Sequence, residues 1–564
     1  MRKTYLVVAG WIAAMLMLRA GAAMAAYPAL SFCWTVEGQE ISVQLEEKEN
    51  RNYVLYLPGA CRGQDPVIRI DQDTDLIWGD TRYANGDTLP VTESVGQTVT
   101  AGYSSGLALG SVQVMQGSAI PSLFFTVTKE DLNRVTVNQE RDIKSPASVV
   151  MLAGDGSLNA AQPLTSFKVR GNSTYFAAKK AYTFKMASKA DLAGMGKNKK
   201  WILLANWFDI SLLRNQITFD LCREIGLSST PDCCPADLYI NGSYCGAYLL
   251  TEKIQLKKSR LEITDLEEAY EALNGKTAYE SARFKKGSGT GVHIMKWYDQ
   301  AQDPEDVTGG YLLEIEKALQ FSNNLDCAGF VTDGKMCIVV KEPTYAGKAA
   351  VQYIGGLVNN FHNAVLNAKG MDKKTGMYYA DFVDLRSFAR KVAVEEFCAN
   401  YDVRAASHFM YKDADSVDPL LYAGPGWDYD LTYGNKDDGM RNPAKVDYVY
   451  TRSSNTAYLY HWLLTHEDFR KLTRQVYEEE ILPAAEVLLG RRTPDADSCV
   501  SSIETYQAAI RESAEMNFTR WNARAIPDVT DESGRTFADA DAYLKNWIAV
   551  RTDALTAGWL TDAK

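Results

Sequence analysis

Histidine is scarce in this chain: five residues in 564, scattered, with no H-E-x-x-H pair. The ten cysteines contain no C-x-x-C pair, and the adjacent Cys233 and Cys234 are not spaced like metal ligands. Together these absences argue against a structural or catalytic zinc site. No run of like charge stands out and no basic stripe is present. With 60 Lys+Arg against 71 Asp+Glu, a net charge of -11, the chain carries no nucleic-acid footprint and has the balance of a soluble, exposed protein. There is no internal repeat and no low-complexity segment. Beyond the N-terminal thirty residues nothing is apolar enough to span a bilayer, and the C-terminus shows no anchor.

What is present begins with "MRKTYLVVAGWIAAMLMLRAGAAMAAYPAL". Arg2 and Lys3 form a basic start, an apolar stretch follows, Arg19 interrupts it, and Ala23, Ala25 and Ala26 offer a peptidase site. The pattern predicts a cleaved signal peptide over residues 1–25 and a secreted or cell-surface location, with no transmembrane segment after cleavage. An even cysteine count in an exported chain permits disulfides, with Cys33–Cys61 and Cys327–Cys337 as local candidates. The length and the 46% apolar content suit two to four domains with a large core. The aromatic content, 11%, reads first as a well-packed interior.

Residues 26–138 alternate apolar with polar and carry turn chemistry, as in "YANGDT". They read as a β-rich accessory domain, β-sandwich-like and without a catalytic constellation. From 139 to 564 the pattern is mixed. "LTSFKVRGNSTYFAAKKAYTFKM" reads strand, loop, strand, with Phe167 and Val169 alternating before the loop and Tyr182, Phe184 and Met186 after it. "DISLLRNQITFDLCREIGL" reads as a helix, with Asp209 or Ser211 as cap and Gly226 as stop. "ADLYINGSYCGAYLLTEKI" is a hairpin about Asn241-Gly242, Leu261 to Phe284 a charged, partly helical insertion, and "TGGYLLEIEK" and "MCIVVKEP" strands. The rest is mostly helical.

Two acids, Asp428 and Asp430, stand in the aromatic, glycine-rich "GPGWDYDLTYGN". Upstream, Asp402 closes a helix-like run, and "SHFMYKD" and "PLLYAG" form a hairpin that leads to Asp428. An acid on each side of a hairpin can converge on one cleft, one taking up a hydroxyl proton and the other holding a divalent cation. The glycines would leave room for backbone beside that cation. "RGNST" (170–174) is a tight loop whose N–H groups, with Arg170 and Asn172, can cradle phosphate. Lys179, Lys180 and Lys185 follow; one of them could reach phosphate as a point charge. "GSGTGV" (287–292) lacks the Lys and helix of a phosphate loop and reads as a turn. Glu252, Glu314 and Glu396 end apolar runs and call for basic partners, Arg214 among the candidates; Glu252 could also border a nucleotide base.

These stretches, in order from about Val137 to about Trp559, resemble the spore-coat-protein-H (CotH) kinase family of atypical, secreted or coat-associated protein kinases: "VRGNST", "AKKAYTFKM", "WILLANWFDISLLRNQITFDL", "YINGSYCGAYLLTEKI", "GGYLLEIE", "DLRSFARKVAVEEFCANYD" and "GPGWDYDLTYGN". The resemblance implies an α+β, protein-kinase-like two-lobed fold. It implies phosphate transfer from ATP, with Mg or Mn, to hydroxyls of a protein substrate with a Ser/Thr-rich segment. Asp402 corresponds to the catalytic acid and Asp428 to the metal-binding acid, with Asp430 as second ligand or support. Of the lysines after the loop, Lys180 and Lys185 are the candidates for phosphate, and the resemblance does not choose between them. Where a protein kinase has a metal-binding Asn five residues after its catalytic Asp, this chain has Ser407, a weaker ligand, and Asn400-Tyr401 stands in place of His-Arg. Two functions therefore stay open: an exported Ser/Thr protein kinase, or a catalytically weak or inactive kinase-like surface protein. A carbohydrate-handling role rests on aromatic content alone.

Overall fold

The structure is a computed structural model and describes residues 28–137, 143–227, 229–289, 291–323, 327–400, 406–436, 442–446, 455–521 and 536–560. The expected signal peptide lies outside these residues. Among the described residues the content is α+β: three sheets, with helices gathered on the C-terminal side.

The first sheet comprises β1 (Leu30–Val36), β2 (Gln39–Glu47), β3 (Asn52–Leu57), β4 (Val67–Ile70), β5 (Leu76–Trp78), β6 (Thr81–Tyr83), β7 (Thr98–Tyr103) and β8 (Ala108–Gln116). Their order is β4-β1-β2-β3-β8-β7-β5-β6. β2 turns a corner. Its residues 39–44 pair with β1, and Leu45–Glu47 pair with β3 instead. The sheet thus folds over on itself, as a strand shared between two packed sheets requires. Phe32 of β1 meets Trp78 of β5 edge to face at 6.3 Å, although five places separate those strands. Phe32, Trp78 and the buried residues around them form one apolar core. All ten cysteines are free thiols. The bridges expected from spacing are not formed: Cys33 lies opposite Val67 and Cys337 opposite Val331, each acting as a small buried apolar residue.

The second body is a closed barrel in the order β10-β11-β12-β13-β15-β14-β9. Its staves are β9 (Ser122–Thr126), β10 (Ser145–Leu152), β11 (Leu158–Arg170), β12 (Ala181–Asp191), β13 (Lys197–Leu204), β14 (Cys233–Ile240) and β15 (Ser243–Glu252). The alternation seen in sequence fills its interior: Phe167, Val169, Tyr182, Phe184 and Met186 are all buried. Phe167 stacks on Tyr182 at 4.8 Å, and Phe125 of β9 meets Phe167 and Phe184 edge to face. The Asn241-Gly242 turn joins β14 to β15 with positive φ at both residues, the two-residue geometry such a pair favours. β9 sits inside the range that composition assigns to the accessory domain, yet it closes the barrel, antiparallel to β10 and parallel to β14.

The third sheet runs β16-β17-β19-β20-β18-β21-β22. It is built from β16 (Arg283–Gly289), β17 (Val292–Asp299), β18 (Tyr311–Ile315), β19 (Gly329–Val331), β20 (Cys337–Glu342), β21 (His408–Lys412) and β22 (Leu421–Ala423). The two strands expected in "TGGYLLEIEK" and "MCIVVKEP" are neighbours, and "SHFMYKD" and "PLLYAG" form the expected hairpin. The largest apolar cluster packs this sheet against helices Lys348–Leu366, Leu385–Phe397 and Phe537–Gly558, and it takes in the helix Arg214–Glu224 from the barrel side. Among the described residues no helix is long and apolar enough to cross a membrane.

Candidate active site

A cleft of about 480 Å³ opens between barrel and third sheet. One wall comes from β11, β12, β13 and the loop after β11; the other comes from β18, β20, β21 and the segment that follows β22.

The loop is built on Gly171, at φ +107, where a side chain would collide with Thr174 Oγ1 at 2.0 Å. Only glycine closes this turn, which lets residues 170–175 line the cleft. Arg170 and Asn172 are therefore placed as the sequence suggests. Arg170 lays its guanidinium over the Trp427 ring, 5.3 Å from the centroid.

Opposite stands the acid segment. Asp428 and Asp430 both line the cleft, as does Ser407. Ser407 Oγ donates to Asp428 Oδ2 at 2.9 Å. Asp428 has φ +70, a left-handed conformation that costs a non-glycine residue about 1–2 kcal/mol. Its neighbours hold it there. Tyr429 N donates to Asn215 Oδ1 at 2.8 Å, and Gly426 N to Thr230 Oγ1 at 3.0 Å. Arg214 Nε donates to Thr432 O at 3.0 Å. The Tyr429 hydroxyl is buried, donating to Glu395 Oε1 at 2.9 Å and accepting from Lys391 Nζ at 3.1 Å; Lys391 and Glu395 form a fully buried ion pair. The segment's shape is thus set by two helices, Arg214–Glu224 and Leu385–Phe397.

Two glycines of this segment have a packing reason. A side chain at Gly426 would meet Cys222 Sγ at 2.8 Å and Tyr429 Oη at 2.9 Å; one at Gly434 would meet Trp547 Nε1 and Tyr543 Oη at 2.5 Å. Asp402 lies outside the described residues.

The lysines after the loop sit elsewhere. Lys179 is buried against Asn517 Oδ1 (2.8 Å) and over the Tyr248 ring. Lys180 Nζ donates to Tyr175 O at 2.8 Å, and Lys185 is exposed. Neither Lys180 nor Lys185 is among the residues lining the cleft; Lys168, Lys253 and Lys341 are. The period of two along a strand was the available signal for Lys168, which shares a face with Arg170. Glu252 points the other way from its neighbour Lys253. It pairs with Arg260 and accepts from Asp232 N at 3.1 Å. Burial raises its carboxyl to about 7, against the opposing charge of Arg260. The remaining acids have basic partners other than Arg214, which itself pairs with Asp209: Glu314 with Lys341 at 2.9 Å, and Glu396 with Arg551 at 2.6 Å.

The lysine end of the cleft is electrostatically tense. Burial, and then the charge of Lys200, lower Lys253 to about 8, while Glu342 pulls it back. Burial and the neighbouring Glu267 raise Glu342 to about 7. Lys341 is driven down by burial, but Glu314 outweighs this and leaves it raised. The cleft thus has a carboxylate end at Asp428 and Asp430 and a lysine-rich end at Lys168, Lys253 and Lys341.

Among the described residues no three His, Cys, Asp or Glu side chains cluster as a metal cage. Two carboxylates and a hydroxyl facing an open cleft suit a hard divalent cation shared with a ligand's phosphates. Comparison with curated proteins gives no match. Comparison with protein families matches residues 167–555, most of the chain, to the family described as CotH kinase protein, from the end of β11 into the last long helix. The chain belongs to the CotH kinase protein family.

Proposed function

We propose that the chain is an exported protein kinase that transfers the terminal phosphate of ATP to Ser or Thr hydroxyls of a protein substrate, with barrel and helical side acting as two kinase-like lobes. The observation that carries this reading is the convergence on one cleft of Asp428, Asp430 and Ser407 with the Arg170–Thr174 loop. Asp428 and Asp430 hold Mg²⁺ or Mn²⁺, which neutralises phosphate charge when bound. Arg170, Asn172 and the N–H groups of their loop orient the phosphates. Lys168, Lys253 and Lys341 replace Lys180 and Lys185 as the lysines in reach of an anionic ligand. Asp402 takes up the proton of the attacking hydroxyl.

One observation favours the second reading, a nucleotide-binding surface protein with slow or no turnover. Ser407, at the position where a protein kinase has a metal-binding Asn, donates its hydroxyl to Asp428. The test is incubation of the mature protein with labelled ATP and Mg²⁺ or Mn²⁺, alone and with a Ser-rich peptide, beside Asp402→Ala and Asp428→Ala. The kinase reading expects label in the wild type, lost in both variants. Nucleotide binding without transfer establishes the second reading. Neither binding nor transfer refutes both.

A further inference from the structure

Arg170 ends β11 at the lip of the cleft and crosses to the opposite wall. Its guanidinium rests over Trp427, the residue before Asp428, and Trp427 in turn stacks on Phe219 at 5.5 Å and 17°. Phe219 belongs to the Arg214–Glu224 helix, whose Asn215 holds the backbone of Tyr429. The guanidinium is therefore seated on a rigid aromatic platform one residue from the metal-binding acid. Arg170 and Asp428 line the same cleft, with the guanidinium over the ring next to Asp428 in the chain; burial lowers the Arg170 pKa, and the charge of Asp428 opposes this. On its other flank Asp428 receives the Ser407 hydroxyl.

Resting on the metal–nucleotide reading of this cleft, we propose that Arg170 is a built-in counter-ion of Asp428. It competes with a free divalent cation and turns to the phosphates when cation and nucleotide arrive together. A dication approaching Asp428 alone meets the guanidinium charge held over the neighbouring Trp427, and one carboxylate oxygen is engaged by a hydroxyl. A triphosphate brings enough negative charge to satisfy both guanidinium and cation. Arg170 need not leave Trp427 to do so, since its planar fork can keep the ring contact while its N–H groups turn. The arrangement makes the site take metal as a metal–nucleotide complex in preference to free metal.

The test is a Mn²⁺ titration of the full chain, with free Mn²⁺ read by electron paramagnetic resonance. It is run without nucleotide and again with a non-hydrolysable ATP analogue. Arg170→Gln and Arg170→Met remove the charge, and Met also keeps an apolar cover on Trp427. Arg170→Lys keeps the charge. Removing the charge is expected to tighten Mn²⁺ binding without nucleotide by roughly tenfold and to weaken the nucleotide complex, so the coupling between the two ligands shrinks. Arg170→Lys stays close to the wild type for Mn²⁺ alone. Thermal melting confirms that each variant is folded, and Met stands in if Gln is not. Unchanged or weaker Mn²⁺ binding in both neutral variants overturns the proposal while leaving the cleft reading intact. A wild type that takes no Mn²⁺ even with nucleotide overturns both.

Discussion

His362 offers the sharpest test of how the helical side is held. It lies on the Lys348–Leu366 helix with no exposed surface. Its Nε2 is 2.8 Å from Thr456 O, a pure acceptor, so Nε2 carries the proton. Nδ1, 2.8 Å from Thr332 Oγ1, must then accept. Burial lowers the ring's pKa from 6.5 to about 4, against the bond to Thr456 and the charge of Asp333. A group lowered on folding contributes stability that is full above its unfolded value and lost as pH falls through its folded one. Here that window runs from about 6.5 down to about 4. The total is about 3 kcal/mol, of which roughly 2 kcal/mol is gone by pH 5. His362→Gln keeps a donor for Thr456 and an acceptor for Thr332 but cannot titrate. Urea unfolding of both proteins from pH 8 to pH 4.5 gives the difference directly, because every other group titrates alike in the two. The variant should start less stable at pH 8 and close the gap by about 2 kcal/mol at pH 5. Parallel curves across the range would refute the neutral, doubly bonded imidazole.

Three further outcomes are expected. Arg551→Met strands Glu396, 1% exposed, without its partner and should cost about 3–5 kcal/mol in thermal unfolding, much of it recovered by adding Glu396→Gln. Tyr429→Phe deletes a buried donor to Glu395 and should cost about 2 kcal/mol of stability while loosening Mn²⁺–nucleotide binding at the adjacent Asp428, both read by calorimetry. Lys253, lowered to about 8, carries its charge below that pH and loses it above. Nucleotide affinity in the wild type should therefore fall between pH 7 and pH 9, and Lys253→Met should flatten that slope.

The legible parts of the chain were those set by local periodicity. The Phe167/Val169 and Tyr182/Phe184/Met186 stripes gave the barrel wall, the Asn241-Gly242 dipeptide its turn, and the two apolar runs around 408 and 421 the hairpin before Asp428. That order pointed to Arg170, Asn172, Asp428 and Asp430, and the family resemblance to Ser407; all five line one cleft. The lysines were not legible. Lys179, Lys180 and Lys185 follow the loop closely in sequence, but the chain turns Lys179 inward to Asn517 and folds Lys180 back onto Tyr175. Lys253 and Lys341 reach the cleft only because β15 and β20 end beside it. Glu252 shows the limit most plainly: one residue along a strand reverses the face, and only tertiary pairing decides which neighbour looks into the cleft.

The parallel pairing of β9 with β14 has a consequence in time. Ser122 lies beside Asp237, so the stave that seals the barrel leaves the ribosome about ten seconds before its partner does. Through that interval the strand carrying Leu123 and Phe125, fully buried at the end, has only its β10 edge paired, and its β14 edge stays open. A chain begun at residue 139 would never have that stave. Its barrel would present two open edges, β10 and β14, to any neighbouring molecule, and unpaired edges of that kind invite aggregation. An attempt to isolate residues 139–564 by themselves should therefore give insoluble protein, while a chain begun ahead of Ser122 should not.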